Sequence, residues 1–238
     1  VGSIGCDHKL CLVPDLNGSI IPGGSSDTSC VKTPELFTRW SQFSVFHSIY
    51  SGTVEGFENR PWKYPTSANG YGPHTIQPTI LLRHALVLYH YTAMHAGHLD
   101  GITVSYPLYF DHKHEEAYSF SSFELRDDHG ACDTNTFRPI YHQSQECLRL
   151  RPKSVGYAWG PSFIVFPVTS WGDDVTGIAK QDVWAPPGRW VHFQTGKTLQ
   201  GPKVYANETF APDETPAYVK AGAVIPMQRY GSTATFLS

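Results

Sequence analysis

Apolar positions change their period twice along this chain. Residues 1–33 hold no sustained period, and the run NGSIIPGGSSDTS reads as loop. TPELFTRWSQFSVFHSIY follows. There Thr33 suits an N-cap, Pro34 the first turn and Glu35 the positive end of a helix dipole. Leu36, Trp40, Phe43 and Phe46 fall on one helical face. Residues 51–74 return to loop composition, with Gly, Pro and Asn throughout. The run TIQPTILLRHALVLYHYTAMHAGHLDG then predicts one long helix, with Thr75 as its cap, Pro78 in its first turn and Gly97 or Gly101 at its end. Ile80, His84, Val87 and Tyr91 share a face, with Leu81, Ala85 and Leu88 beside it. Such a helix is apolar nearly all round and is expected to be covered on most sides.

Past Gly101 the period becomes that of a strand, beginning with ITVSYPLYF. Residues 119–155 lose the pattern and read as an inserted loop. From Gly156 onward the runs SFIVFPVT, DVWAPPG, RWVHFQTG, KVYANETF and AYVKAGAVIP recur at the spacing of an all-β sandwich. The last run raises a question of its own. Ala221, Gly222 and Ala223 set three small residues between two strand-like pairs. Small residues serve a close backbone approach or a turn, and both readings stay open. No internal repeat is visible.

Composition narrows the classes. A length of 238 residues allows one large domain or two smaller ones, and 40% hydrophobic with 13% aromatic residues is enough for a substantial core. The net charge is -3, with no basic block, so nucleic acid is not an expected partner. No apolar run reaches the roughly 20 residues of a membrane span. The first residue is Val1 rather than Met, as in a processed, excised or truncated product. Asn17-Gly18-Ser19 and Asn207-Glu208-Thr209 fit the glycosylation triplet. Of Cys6, Cys11, Cys30, Cys132 and Cys147, none forms a CxxC zinc pattern. A Cys132–Cys147 disulfide could close the inserted loop, with one further pair among Cys6, Cys11 and Cys30. These features favour the secretory pathway or an extracellular site.

Metal and cofactor chemistry finds little support. DHKHEEAY gathers Asp111, His112, His114, Glu115 and Glu116, and a His-x-His with acids can hold a metal. A solvated loop after a strand explains it more simply. His84, His90, His95 and His98 do not share one helical face and read as surface or capping residues. No metal and no cofactor is expected. Trp40, Trp62 and Trp190 read first as apolar anchors.

The order PELFTRWSQFSVF, RPWKY, LLRHALVLYHYT, GITVSYPLYFD, YAWGPSFIVFPVT, PPGRWVHFQTGK and TPAYVKAGAVIP resembles the C-terminal part of glycoside hydrolase family 31, the family of α-glucosidases, α-xylosidases and α-glucan lyases. The resemblance spans most of the chain apart from residues 7–30 and 119–155. It implies an α/β barrel fragment, the last strands and helices of a (β/α)₈ barrel, over residues 1–99. A proximal all-β sandwich would follow over 100–238, with the inserted loop at about 119–155. It also implies that both catalytic aspartates, nucleophile and acid/base, lie upstream, so the chain alone is not expected to be an active enzyme. A barrel needs eight strands and about 250 residues to close. The chain is therefore expected to need a partner: the missing N-terminal barrel segment or another chain.

Position by position, the resemblance divides. VGSIGC resembles the family's His-Asp-Ile-Gly-Gly, with Ser3 where the Asp stands and Cys6 where the second Gly stands. FSVFHSIYSGT resembles the segment holding an Arg-x-His that contacts the sugar. Ser51 and Thr53 stand at those places, and His47 lies earlier. Tyr106 replaces the Arg of Arg-Pro-Leu, and Leu88 the Pro of Leu-Pro-Tyr. Arg39, Trp40, Arg83, Pro167, Gly196, Gly222 and Pro226 match the scaffold. Trp62 is the candidate for stacking a sugar ring, and Ser3 and Thr53 are weak substrate-binding candidates. Ser and Thr lack the charge, reach and donor geometry of Asp, Arg and His. The expected function is a catalytically impaired α-glucosidase-like portion, a pseudoenzyme. The alternative is a non-catalytic structural or carbohydrate-binding subunit of an extracellular assembly, with an α-glucan or another carbohydrate as ligand.

Overall fold

Pro34 opens the first helix, α1 (Pro34–Val45), in a computed structural model that describes residues 34–51, 61–63, 65–120 and 155–228, with strand segments at 2–3, 12–14 and 20–22. Helix α1 buries Phe37 and Val45, with Phe46 just beyond its end, whereas on the face expected to be apolar Trp40 is exposed and Leu36 and Phe43 are only half-buried. Its polar residues Thr38, Arg39, Ser41, Gln42 and Ser44 are buried as well, because the covered side of the helix is the one that carries them.

The long helix read from 75–101 is two helices, α2 (Pro73–Ala85) and α3 (Val87–Asp100). Pro73 stands at the first position and Gly72 is the cap. Thr75 acts from inside the helix, its hydroxyl accepting from the Gly72 N–H at 3.1 Å. The break falls at Leu86, whose φ of -84° and ψ of 3° leave helical geometry. At that point the Ala85 carbonyl accepts from the Gln228 N–H at 2.8 Å, so a residue far along the chain bonds at the junction. Gly101, left-handed at φ 74°, ends α3 as expected.

The β-rich part is a six-stranded antiparallel sheet. Its strands are β5 (Ser105–Pro107), β6 (Tyr157–Trp159), β7 (Phe163–Val165), β8 (Ala179–His192), β9 (Thr198–Phe210) and β10 (Ala217–Lys220), in the order β5-β6-β7-β10-β8-β9. ITVSYPLYF is strand only at Ser105–Pro107. Leu108–Phe110 then turns as a 3₁₀ helix that drops Leu108 into the core. The separate strands expected of DVWAPPG and RWVHFQTG are one strand, β8. A register shift against β9 between Ala185 and Gly188 absorbs Pro186 and Pro187, and the Trp190 indole N–H donates to the Pro186 carbonyl at 3.0 Å.

Strand alternation divides the core into two clusters. Trp159, Phe163, Val165 and Ala217 meet the helices through Val45, Phe46, Leu86, Tyr89 and Ala93. Ala158, Ile164 and Tyr218 belong to the other cluster, with Leu108, Phe120, Val183, Trp184 and Phe210. The half of β8 beyond β10 thus shares a core with the strands it does not pair with. The open question at Gly222 closes in favour of a turn. AYVKAGAVIP is strand only at Ala217–Lys220, Gly222 has φ +88°, and a Cβ there would meet nothing within 4 Å.

Candidate functional site

Two further strands lie apart from this sheet. β1 (Gly2–Ser3) pairs in parallel with β4 (Tyr50–Ser51), and α1 lies between them in sequence and beside β1 in space. A short antiparallel hairpin of β2 (Leu12–Pro14) and β3 (Ile20–Pro22) separates β1 from α1. In the register of the parallel pair Gly2 stands opposite Tyr50, and Ser3 opposite Ser51. Two positions singled out from distant motifs are therefore neighbours across one strand pair.

The approach to β4 is fixed from behind. Arg83, on α2, donates through Nη1 to the carbonyls of Val45 and His47, both at 2.7 Å, and through Nη2 to that of Ser48 at 3.1 Å. One guanidinium thus satisfies the carbonyls left where α1 has ended and β4 has not begun. Tyr50 packs against Phe37, Ile76 and Ile80, and burial raises its pKa above the usual phenol value. His47 sits between the rings of Phe43, centroids 4.1 Å apart, and Tyr157, at 5.4 Å. Burial, with Arg83 nearby, pushes its pKa down to about 4, so the ring is neutral at pH 7.

A second network joins α1 to the far loops of the sheet. Arg39 donates through Nη1 to Gln42 Oε1 and the Glu214 carbonyl, each at 3.0 Å, and through Nη2 to the Tyr71 hydroxyl at 2.9 Å. Tyr71 passes its proton's bond on to the Gly177 carbonyl at 2.8 Å, and burial raises its pKa to about 12. Gln42 donates to the Pro212 carbonyl at 2.8 Å, and the Gly172 N–H to Glu35 Oε1 at 2.6 Å. Arg39 and Arg83 were legible in the sequence as scaffold positions. The acceptors of Arg83, and that of Arg39 at Glu214, were not, because they are backbone carbonyls with no residue signature.

The remaining candidates disperse. Trp190 is a buried anchor, whereas Trp40 is 43% exposed and Trp62, on a 3₁₀ turn at Pro61–Lys63, is 70% exposed. Asn207 is exposed on β9 at φ +53°, its N–H donating to Asp182 Oδ1 at 2.7 Å. Thr53, Asn17 and all five cysteines, Cys132 and Cys147 included, lie outside the described residues. His114 caps the short helix α4 (Glu115–Ser119) and pairs with Glu116 at 2.6 Å. Among the described residues no group of three His, Cys, Asp or Glu is arranged to hold a metal, and no helix is long and apolar enough to cross a membrane.

Comparison with known proteins agrees with this geometry. Residues 133–225 match the sequence profile of the glycosyl hydrolase family 31 C-terminal domain. An α-xylosidase of Saccharolobus solfataricus is 26% identical over 196 residues, covering 81% of this chain and 21% of its own length. Intestinal sucrase-isomaltase of Oryctolagus cuniculus is 25% identical over 203 residues, covering 85% of this chain and 9% of its own. This chain therefore spans 21% and 9% of the length of these two relatives. A Flavobacterium johnsoniae family 31 dextranase, solved with glucose, shares the fold at a TM-score of 0.58 and 22% identity, over 90% of this chain and 21% of that one. Motif order, fold and sequence profile converge: residues 133–225 match the glycosyl hydrolase family 31 C-terminal domain, and the chain is similar to the C-terminal part of that family's proteins.

Proposed function

We propose that this chain is the closing portion of an α-glucosidase-like protein whose sugar-contacting positions are chemically depleted. In this reading residues 1–99 are the last strands and helices of a (β/α)₈ barrel, and residues 100–238 are the proximal β-sandwich. The parallel β1–α1–β4 unit supports the first part, since strand–helix–strand is the repeat of such a barrel. The core that Val183 and Trp184 of β8 and Leu199 of β9 share with Ile164 and Tyr218 supports the second. The nucleophile and acid/base would lie on an upstream segment or partner chain, with their carboxylates about 5–5.5 Å apart for a retaining mechanism. The substrate class is an α-glucoside or a related glycoside, in keeping with relatives named α-xylosidase and sucrase-isomaltase.

The observation that carries the depletion is the register of Ser3 opposite Ser51. It makes the two substituted positions neighbours, as the family's Asp and Arg would be if both faced one sugar. The second reading, a non-catalytic carbohydrate-binding or structural subunit, draws on the same residues and on Thr53. Comparing the full-length protein with its S3D/S51R/T53H variant tests the proposal. Restored hydrolysis of p-nitrophenyl α-glucoside supports an impaired enzyme, and binding without hydrolysis in both supports the subunit. Strong hydrolysis by the parent removes the depletion altogether.

We further propose export through the secretory pathway, a glycan on exposed Asn207 and on Asn17, and a Cys132–Cys147 disulfide. Non-reducing peptide mapping of native material is expected to recover that disulfide and a modified Asn207. Alkylation of both thiols as free groups would refute the bond.

A further inference from the structure

We draw no further inference here: the strongest candidate, the side-chain cluster where α1 leads into β4, with His47 stacked on Tyr157 and His90 on Trp159 beside the Arg83 guanidinium, rests as an acid-sensitive latch on the titration of its two histidines alone and reaches no further than the pH dependence that their burial already implies.

Discussion

His47 is held between Phe43 and Tyr157, and the Arg83 guanidinium binds its backbone carbonyl. A ring in that place is costly to charge, and burial lowers its pKa from 6.5 to about 4. The sign of the consequence follows from linkage. The unfolded chain takes up the proton first, so stability is full above about pH 6.5 and falls as pH drops toward 4. Burial also lowers His90, His112 and His192, and all act in the same sense. The melting temperature of the full-length protein is expected to drop between pH 7 and pH 5. His47→Phe should flatten that slope, and an identical slope in both proteins would show that His47 does not contribute. Little of this was legible in the sequence. His47 stood out only as lying early of the Arg-x-His positions, because its stacking partner Tyr157 comes from a strand far along the chain.

Elements were more legible than their ends. The start of α1 and the end of α3 follow from Pro34 and Gly101, whose backbone preferences act locally. The break at Leu86 does not, because the donor at that junction is Gln228. Pro186-Pro187-Gly188 reads as a strand end, yet the bulge against β9 carries the chain through it. Gly222 and Gly201 separate two uses of glycine. At Gly222 only φ +88° matters, and alanine should cost about 1 kcal/mol through backbone strain alone. At Gly201 a Cβ would run into the carbonyls of Ala185 and Pro186, which belong to the bulge itself. Denaturant unfolding of G222A and G201A is expected to rank G201A as clearly the more destabilised. The reverse order would mean that the bulge opens freely.

For the whole molecule the telling feature is α3. One side packs Tyr89 and Ala93 against Trp159 and Phe163. Along the rest run Val87, Leu88, Tyr91, Met94 and Leu99, with Tyr91 72% and Leu99 70% exposed. The sequence expectation of a helix covered on most sides therefore holds for one side among the described residues. A helix apolar all round is usually a buried one, and the relatives are several times longer than this chain. The 238-residue chain expressed alone is expected to show no sharp cooperative melt and weak near-UV circular dichroism. A cooperative monomeric transition would contradict the need for a covering segment.

The likeness to the family was readable because packing motifs recur in order. In the function proposed for the chain, activity turns instead on a few positions, Ser3, Ser51 and Thr53, where the resemblance implies a short hydroxyl in place of a charged or imidazole side chain. Losing two charge-assisted hydrogen bonds in the transition state, at about 1.5–3 kcal/mol each, lowers kcat/KM by about 10²–10⁴. The most direct test is the turnover of native full-length protein on p-nitrophenyl α-glucoside and maltose, with and without a covalent α-glucosidase inactivator. The account predicts hydrolysis far below the roughly 10 s⁻¹ typical of enzymes. Turnover at that ordinary rate, abolished by the inactivator, would contradict it.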